Sequence, residues 1–442
     1  MRTLFPVLIP FVALAQGDAL FDDTQGDEVP EPAVAAPTPF SEWDGITQLY
    51  PAPSGKGFGE GRSPSPSLEL VGEFELDQDA PEGLSGIAWT SNPGHPEIVD
   101  PDPFGRAGGP GPRFDICTPD SYVLCEDSGA WLDFAEIGID RASGAITSAV
   151  FRLRSRAYFY SDDEPLETAD FKAIAYARSR HGCTHYQLYV SDEAHPYVWQ
   201  DRLDPCTTGV VAVPSPIVAV SLPEPLRGHR RNKGIEAMCL SPDDRALWLA
   251  LEDAHPEDGP VATTEHGALV RLVRMDAMPG VSKFLPEANL PTQWWFYELD
   301  PAAGGKFPHL PDPFNGLAEL CALPDGRLLA LERTYGLRTR SPSDPRASLI
   351  AISIYLVDPL AAARTAAAER PPVLAKTLLW RGLTGRANYE GMTLGPELSD
   401  GSRALLLVSD GDVTRKGAFA FPWSKRLLSF RLRLPEAPAP RP

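Results

Sequence analysis

Asn388-Tyr-Glu-Gly-Met-Thr-Leu-Gly-Pro396, a polar turn, and Ala404-Leu-Leu-Leu-Val-Ser-Asp-Gly-Asp412 decide the fold. Two apolar runs flank a turn at Ser399, Asp400 and Gly401, which is the pattern of a β-hairpin. Glu390 opens the first run and Asp410 closes the second. The motif recurs. Residues 315–333 carry Glu319, a turn at Pro324-Asp325-Gly326, and Leu-Ala-Leu-Glu332-Arg333. Residues 232–253 carry Glu236, a turn at Pro242-Asp243-Asp244, and Leu-Ala-Leu-Glu252-Asp253. A weaker copy has Lys172-Ala-Ile-Ala-Tyr and ends at Asp192-Glu193; the first has Ser85-Gly-Ile-Ala-Trp and ends at Glu126-Asp127. The openings lie 87, 64, 83 and 71 residues apart. Such steps are too long and irregular for a solenoid and suit four-stranded propeller blades with long loops. Two further strand-like runs follow most hairpins, such as Leu349 to Val357 and Val373 to Trp380. The fold class expected is all-β, a β-propeller of five detectable four-stranded blades, with six as the alternative.

The ends of the pattern complement each other. Leu68 to Leu76 alternates like a strand but precedes the first hairpin, and after Asp410 one clear strand remains, Leu427 to Leu434. Placing the N-terminal strand in the last blade closes the ring and leaves few exposed edges. The domains then read as a secretory signal over 1–15, a disordered Pro/Ala/Ser-rich leader over 16–67 with a little ordered chain near Phe40 to Tyr50, the propeller over 68–434, and a Pro-rich tail over 435–442. In the signal, Arg2 supplies the charge, Leu4 to Leu14 the apolar stretch, and Ala13-Leu14-Ala15 the cleavage pattern. A secreted or periplasmic location follows. There, six cysteines invite disulfides, Cys117 with Cys125 and Cys183 with Cys206 being closest in sequence; Cys239 and Cys321 could meet between successive blades, with unbridged, buried thiols as the commoner alternative. The net charge of −20 argues against a nucleic-acid partner, and no run is long enough to span a membrane. A monomer acting on a small anionic substrate is expected.

The first strand of each blade lines a propeller's axis, so Glu236, Glu319 and Glu390 are expected to converge. Carboxylates held together must protonate or bind a cation. A cage of hard oxygens favours Ca²⁺, with amide oxygens from Asn232, Asn315 and Asn388. Strand capping by these same residues is the alternative. Ser85 and Lys172 hold the matching places in the other two blades, and Lys172 supplies a positive charge of its own. Glu126, Asp192, Glu252, Glu332 and Asp410 end the second strands and are expected to accept backbone N–H bonds. A basic cluster, Arg227, His229, Arg230, Arg231 and Lys233, leads into Glu236; Arg333 and Arg386 lie at corresponding positions. Cations beside a metal suit an anionic substrate, bound here by Lys172, Arg230, Arg231, Lys233, Arg333 and Arg386. No zinc-protease signature, serine nucleophile elbow, phosphate-cradling loop or Cys-x-x-Cys is present.

Gly83-Leu-Ser-Gly-Ile-Ala, Asn232-Lys-Gly-Ile-Glu-Ala-Met, Leu317-Ala-Glu-Leu-Cys-Ala-Leu, and Asn388-Tyr-Glu-Gly-Met with Leu407-Val-Ser-Asp resemble the esterase-like-phytase (phytase-like domain) family of secreted bacterial proteins. The resemblance implies a β-propeller over about 68–434 with phosphoesterase or esterase activity. One copy departs from it: Asp170-Phe-Lys172-Ala-Ile-Ala has Lys172 where the family pattern has Glu. The function expected is a secreted, cation-dependent phosphoesterase or esterase. A non-catalytic binding or scaffold protein is the alternative, and lactonase chemistry at a central Ca²⁺ a third option.

Overall fold

Each apolar run becomes a strand, and each short turn returns the chain antiparallel to it. The computed structural model describes residues 47–48 and most of 66–435. Outside the description lie 1–46, 49–65, 91–119, 128–130, 157–159, 162–163, 166–168, 178–185, 194–196, 204–217, 277–291, 303–312, 339–347, 363–370, 415–420, 436–442 and positions 78, 360, 386, 412 and 423. The expected signal, Cys117, Cys183, Cys206 and Arg386 therefore lie outside the described residues. The described residues belong to one unit, Phe40–Pro442.

Five sheets form a five-bladed β-propeller. Blade 1 comprises Leu84–Trp89, Ser121–Glu126, Trp131–Ile139 and Ile146–Arg156; blade 2 comprises Phe171–Ala177, Tyr186–Asp192, Tyr197–Leu203 and Val218–Ser221. Blade 3 comprises Ile235–Leu240, Ala246–Leu251, Ala268–Asp276 and Thr292–Leu299; blade 4 comprises Phe314–Ala322, Leu328–Arg338, Ser348–Val357 and Lys376–Gly385. Blade 5 takes Asn388–Glu397, Arg403–Asp410 and Arg426–Arg433 from the C-terminal region and Ser67–Glu75 from the N-terminal region. The closing strand pairs antiparallel with Arg426–Arg433, as expected, in a register running from Ser67 opposite Arg433 to Glu75 opposite Arg426. Within the leader, Thr47–Gln48, in the stretch expected to hold a little ordered chain, pairs with Gly382 and Leu383 on the outer strand of blade 4. Among the described residues no helix is long and apolar enough to cross a membrane.

The core lies between blade faces. Trp380 of blade 4 meets Phe430 of blade 5 edge-on at 5.1 Å, and Trp248 and Trp295 of blade 3 lie 5.4 Å apart. All four are essentially buried, and full burial of one large apolar side chain stabilises by about 1.5–3 kcal/mol.

The first strands pack side by side around the axis, each against the first strand of the next blade. Each one carries an irregularity near its start. The strand pairing skips Ser85, Glu236, Ala318 and Glu390 in blades 1, 3, 4 and 5. In blade 2 it skips the region of Lys172 and Ala173, where two residues oppose Ser191. These are β-bulges, which re-aim side chains beside the unpaired residue. They also correct the repeat register: Ala318, not Glu319, is the counterpart of Glu236 and Glu390. Glu319 falls instead with Gly86, Ala173, Ala237 and Gly391.

That last position has little room. A Cβ on Gly391 would lie 2.9 Å from the Ile87 nitrogen and 3.0 Å from the Gly86 Cα. Two places further along the register stand Cys239, Cys321 and Thr393, and each serves the backbone of the next blade. Cys239 accepts from the Ala322 N–H, Cys321 from the Leu394 N–H, and Thr393 from the Trp89 N–H at 3.2 Å. The Cys239–Cys321 bridge is not formed, and the alternative of free thiols holds. The two residues share one register and face the same way around the ring, so each sulfur is directed to its neighbour's backbone. Cys125 is also a free thiol, buried against Ser85, which overturns the Cys117–Cys125 pairing.

Replacing Gly391 by Ala forces backbone apart across two blades and is expected to lower stability by about 1–3 kcal/mol. Gly72→Ala, whose Cβ meets nothing within 4 Å, serves as the control and is expected to change stability by less than about 0.5 kcal/mol. Urea unfolding of the two variants checks the contrast; equal effects would contradict the close packing at Gly391.

Candidate functional site

Two rings of residues surround one end of the axis, one position from each blade. The bulges give Ser85, Lys172, Glu236, Ala318 and Glu390. The residue just past each bulge's partner on the second strand gives Asp127, Glu193, Glu252, Arg333 and Asp410. Its register is marked by Asp127, Glu193 and Glu252 donating N–H bonds to the carbonyls of Gly83, Asp170 and Gly234, and by Arg333 and Asp410 facing Gly316 and Asn388. Small residues admit these side chains. Gly83 has φ +70°, and a Cβ there would collide with the Asp127 carboxylate at 2.2 Å. A Cβ on Gly316 would lie 2.9 Å from the Glu252 side chain of the neighbouring blade.

The rings hold six carboxylates and two cations. Arg333, buried, donates to Glu390 and to Asn388 at 3.2 Å, and to Glu252 at 3.0 Å, with Glu236 at 3.8 Å. Burial alone would lower the pKa of its guanidinium, but the charges of Glu390, Glu252 and Glu236 hold it above the ordinary value. Lys172 pairs with Asp170 at 3.1 Å and Glu193 at 3.7 Å. Burial opposes its charge as well, and Glu236, Glu390, Asp170 and Glu193 outweigh burial and raise its pKa.

Carboxylates still outnumber their partners. Burial pushes the pKa of Glu236 well up, Lys172 counters, and the charges of Glu252 and Glu193 push it further. Glu193 and Asp170 are raised by burial too, although Lys172 moderates both. Asp127 is pushed up to about 8 by burial and by the charges of Asp410, Glu390 and Asp170, against the pull of Lys172. The Oε2 atoms of Glu236 and Glu390 are buried without a hydrogen-bond partner. Glu193, Glu236 and Glu252 each offer a carboxylate oxygen within 4.8 Å of the other two. That arrangement holds either protons or a cation.

The residues singled out from the sequence divide. Glu236, Glu390, Asn388, Lys172 and Arg333 meet at the axis. Asn388 donates to Glu390 at 2.8 Å and to Asp410 at 3.4 Å. Glu319 sits apart from the carboxylate trio, buried, accepting from the Met238 and Leu320 N–H groups at 2.9 Å each. Burial raises its pKa strongly despite those bonds. Asn315 turns to a different cluster, donating to Glu332 at 2.7 Å and to the Asp300 carbonyl. Asn232 is an exposed turn residue at φ +54°, a conformation Asn tolerates better than most residues. Arg230 donates to the carbonyls of Ala254 and Gly259 and anchors that loop, while Arg231 is exposed. Lys233 reaches Glu252 at 2.5 Å and lies 3.9 Å over the Phe314 ring.

The second-strand acids also divide. Asp192 accepts from the Asp170 N–H at 3.1 Å and the Trp199 indole at 3.0 Å, and Glu332 from the Asp300 N–H at 3.2 Å and the Tyr297 hydroxyl at 2.7 Å, so these two accept backbone N–H bonds as expected. Glu252 and Asp410 instead face the axis, joined by Asp127 and Glu193, which the sequence reading missed. The signal was present: acids stand in adjacent pairs, Glu126-Asp127 and Asp192-Glu193, and strand alternation sends one of each pair inward.

For Asp127 the folded-state pKa lies above the unfolded value, so the fold holds its proton more tightly than the open chain does. Its contribution is therefore largest at low pH and is lost as pH rises toward 8. Raising pH from 5 to 8 without divalent cations is expected to destabilise the protein by up to about 1.4 kcal/mol per pH unit for each such proton. Asp127→Asn is expected to flatten the decline. Urea unfolding at pH 5, 6.5 and 8 measures both; stability rising across this window would contradict the burial of these carboxylates.

No curated protein matches the chain. Among solved structures, the PQQ-bound aldose sugar dehydrogenase of Streptomyces coelicolor is 12% identical, with TM-score 0.38, over 84% of this chain and 100% of that one. A Lactobacillus plantarum protein is 12% identical with TM-score 0.30, over 72% of each chain. Likenesses this low carry no argument about activity. The family comparison is of another kind, because the profile described as "Phytase-like: Esterase-like activity of phytase" matches residues 113–413, about two thirds of the sequence and all five inner strands except that of blade 1. The chain belongs to the phytase-like family.

Proposed function

We propose that the chain is a secreted hydrolase of phosphate esters, dependent on a divalent cation of the calcium type. The observation that supports this is the trio Glu193, Glu236 and Glu252, whose oxygens approach within 4.8 Å while Glu236 Oε2 is buried and unpartnered. The donors are all hard oxygens, which suits calcium. Glu193 is oriented by the Gly234 N–H at 3.1 Å, and Glu252 by Arg333 and Lys233. Once bound, a cation would hold a phosphoryl oxygen and polarise a water. Arg333 and Lys172 act as fixed counter-charges, since both are committed to buried carboxylates. Contact with an anionic substrate falls to exposed Arg231 and to Lys233, which pairs with Glu252 at 2.5 Å but, unlike the other two, stays partly exposed. Family membership supports ester hydrolysis in general. The fixed pairs of Lys172 and Arg333 favour a second reading, a non-catalytic binding propeller whose centre is closed by internal ion pairs.

Assays against p-nitrophenyl phosphate, phytate and p-nitrophenyl acetate, with calcium or chelator, separate the two. Phosphatase activity removed by chelation is expected, and Glu236→Gln is expected to weaken calcium binding at least about tenfold. A protein inactive on all three substrates with calcium present would refute the hydrolase.

Lys172 tunes the same site. Its ammonium stands against Asp170 and Glu193 and within the field of Glu236 and Glu390. Lys172→Glu is expected to raise calcium affinity and make the melting temperature more calcium-dependent. Titration calorimetry on both forms measures this, and equal affinities would remove Lys172 from the site.

A further inference from the structure

At the opposite end of the axis, where the first strands finish, lies a cavity of about 340 Å³. We propose that this cavity binds a small monocarboxylate on an apolar body, with Arg403 as the counter-charge. Nothing in the carboxylate rings enters the argument, because the two ends draw on different parts of the same strands.

The lining is mixed, with apolar side chains contributed by every blade beside polar groups such as Ser241 and Thr393. Ile87, Ile174, Met238, Leu320 and Met392 come one from each blade, and Trp89 and Tyr176 add aromatic faces. A volume of this size that joins apolar side chains to a charged group is typical of small-molecule sites. Arg403 also lines the cavity, half-buried, with its guanidinium 6.0 Å from the centroid of the Trp89 ring. Among the described residues it forms neither an ion pair nor a side-chain hydrogen bond. Its cross-strand partner, Glu397, is exposed and makes no salt bridge with it. Burial holds the pKa of Arg403 below its ordinary value, more than the charge of Glu397 offsets. This contrasts with the other buried arginines: Arg333 has Glu390 and Glu252, and Arg271 has Asp258 at 2.5 Å and Glu257 at 3.0 Å.

A half-buried guanidinium beside an indole face gains most from a planar anion that accepts two parallel N–H bonds, which is a carboxylate. One cation suits one negative charge. Asp244 also lines the cavity, and its charge weighs more heavily against a dianion such as a phosphate monoester than against a single carboxylate. The apolar side chains and Trp89 leave room for an aromatic ring or short alkyl chain. The thiols nearby are not a soft-metal site, since Cys239 and Cys321 are protonated by burial and bound to backbone N–H groups.

Titration calorimetry with phenylacetate and octanoate, and with phenylacetamide as the neutral control, tests the proposal on the full chain in chelator. The acid is expected to bind at least about tenfold more tightly than the amide, a margin of about 1.4 kcal/mol. Arg403→Gln is expected to remove that margin and leave amide binding unchanged. Leu240→Trp, which fills the cavity from its wall, is expected to abolish binding of both. Acid and amide binding alike, or no binding of either at millimolar concentration, overturns the proposal on the native protein alone. An Arg403→Gln protein with native melting behaviour and undiminished phenylacetate affinity does the same.

Discussion

One additional residue in each inner strand governs this molecule. Five first strands packed around an axis present their edges to it, and regular alternation would send their side chains into the layers between blades. A bulge breaks that alternation near the start of each strand and brings Lys172, Glu236 and Glu390 to the centre. The same break sets which residue of the paired strand lies opposite, and so brings Asp127, Glu193, Glu252, Arg333 and Asp410 into company. The site is thus a product of strand register.

Charge is the second constraint. Buried ions are costly unless they are paired, and breaking a buried pair leaves an uncompensated charge. Arg333 answers this by touching three blades at once: it grows from blade 4 and reaches Glu252 of blade 3 and Glu390 of blade 5. Lys172 of blade 2 does the equivalent beside Asp170 and Glu193, with Glu236 and Glu390 in range. The two cations hold the inner ends of the blades together, while the carboxylates left over keep their affinity for protons or metal.

The strands, the five blades and the closure were legible because they rest on apolar periodicity, turn residues and the surplus strand at each end. The phase within each inner strand was not. Leu317-Ala-Glu319 and Gly-Ile-Glu236 look alike, yet the bulge falls on Ala318 in one and on Glu236 in the other. A one-residue slip exchanges the two faces of a strand. It moved Glu319 off the axis and hid Asp127 and Glu193 behind their neighbours Glu126 and Asp192. The cysteines failed for a related reason, because spacing shows which sulfurs are near but not which backbone N–H each one faces.

Closure of the ring also orders events in time. Ser67–Glu75 is among the earliest segments of the propeller to be made, yet its partner, Arg426–Arg433, is the last of the described strands. Until that partner exists, an alternating strand waits with both edges open, the condition under which chains pair wrongly with one another. Its acids guard the interval. Glu69 and Glu73 repel other copies of the same strand, and they are later matched by Arg433 at 3.1 Å and Arg426 at 3.0 Å. These exposed pairs add little to the finished fold; their value lies in keeping the waiting strand solitary and in recognising its proper neighbour when it arrives.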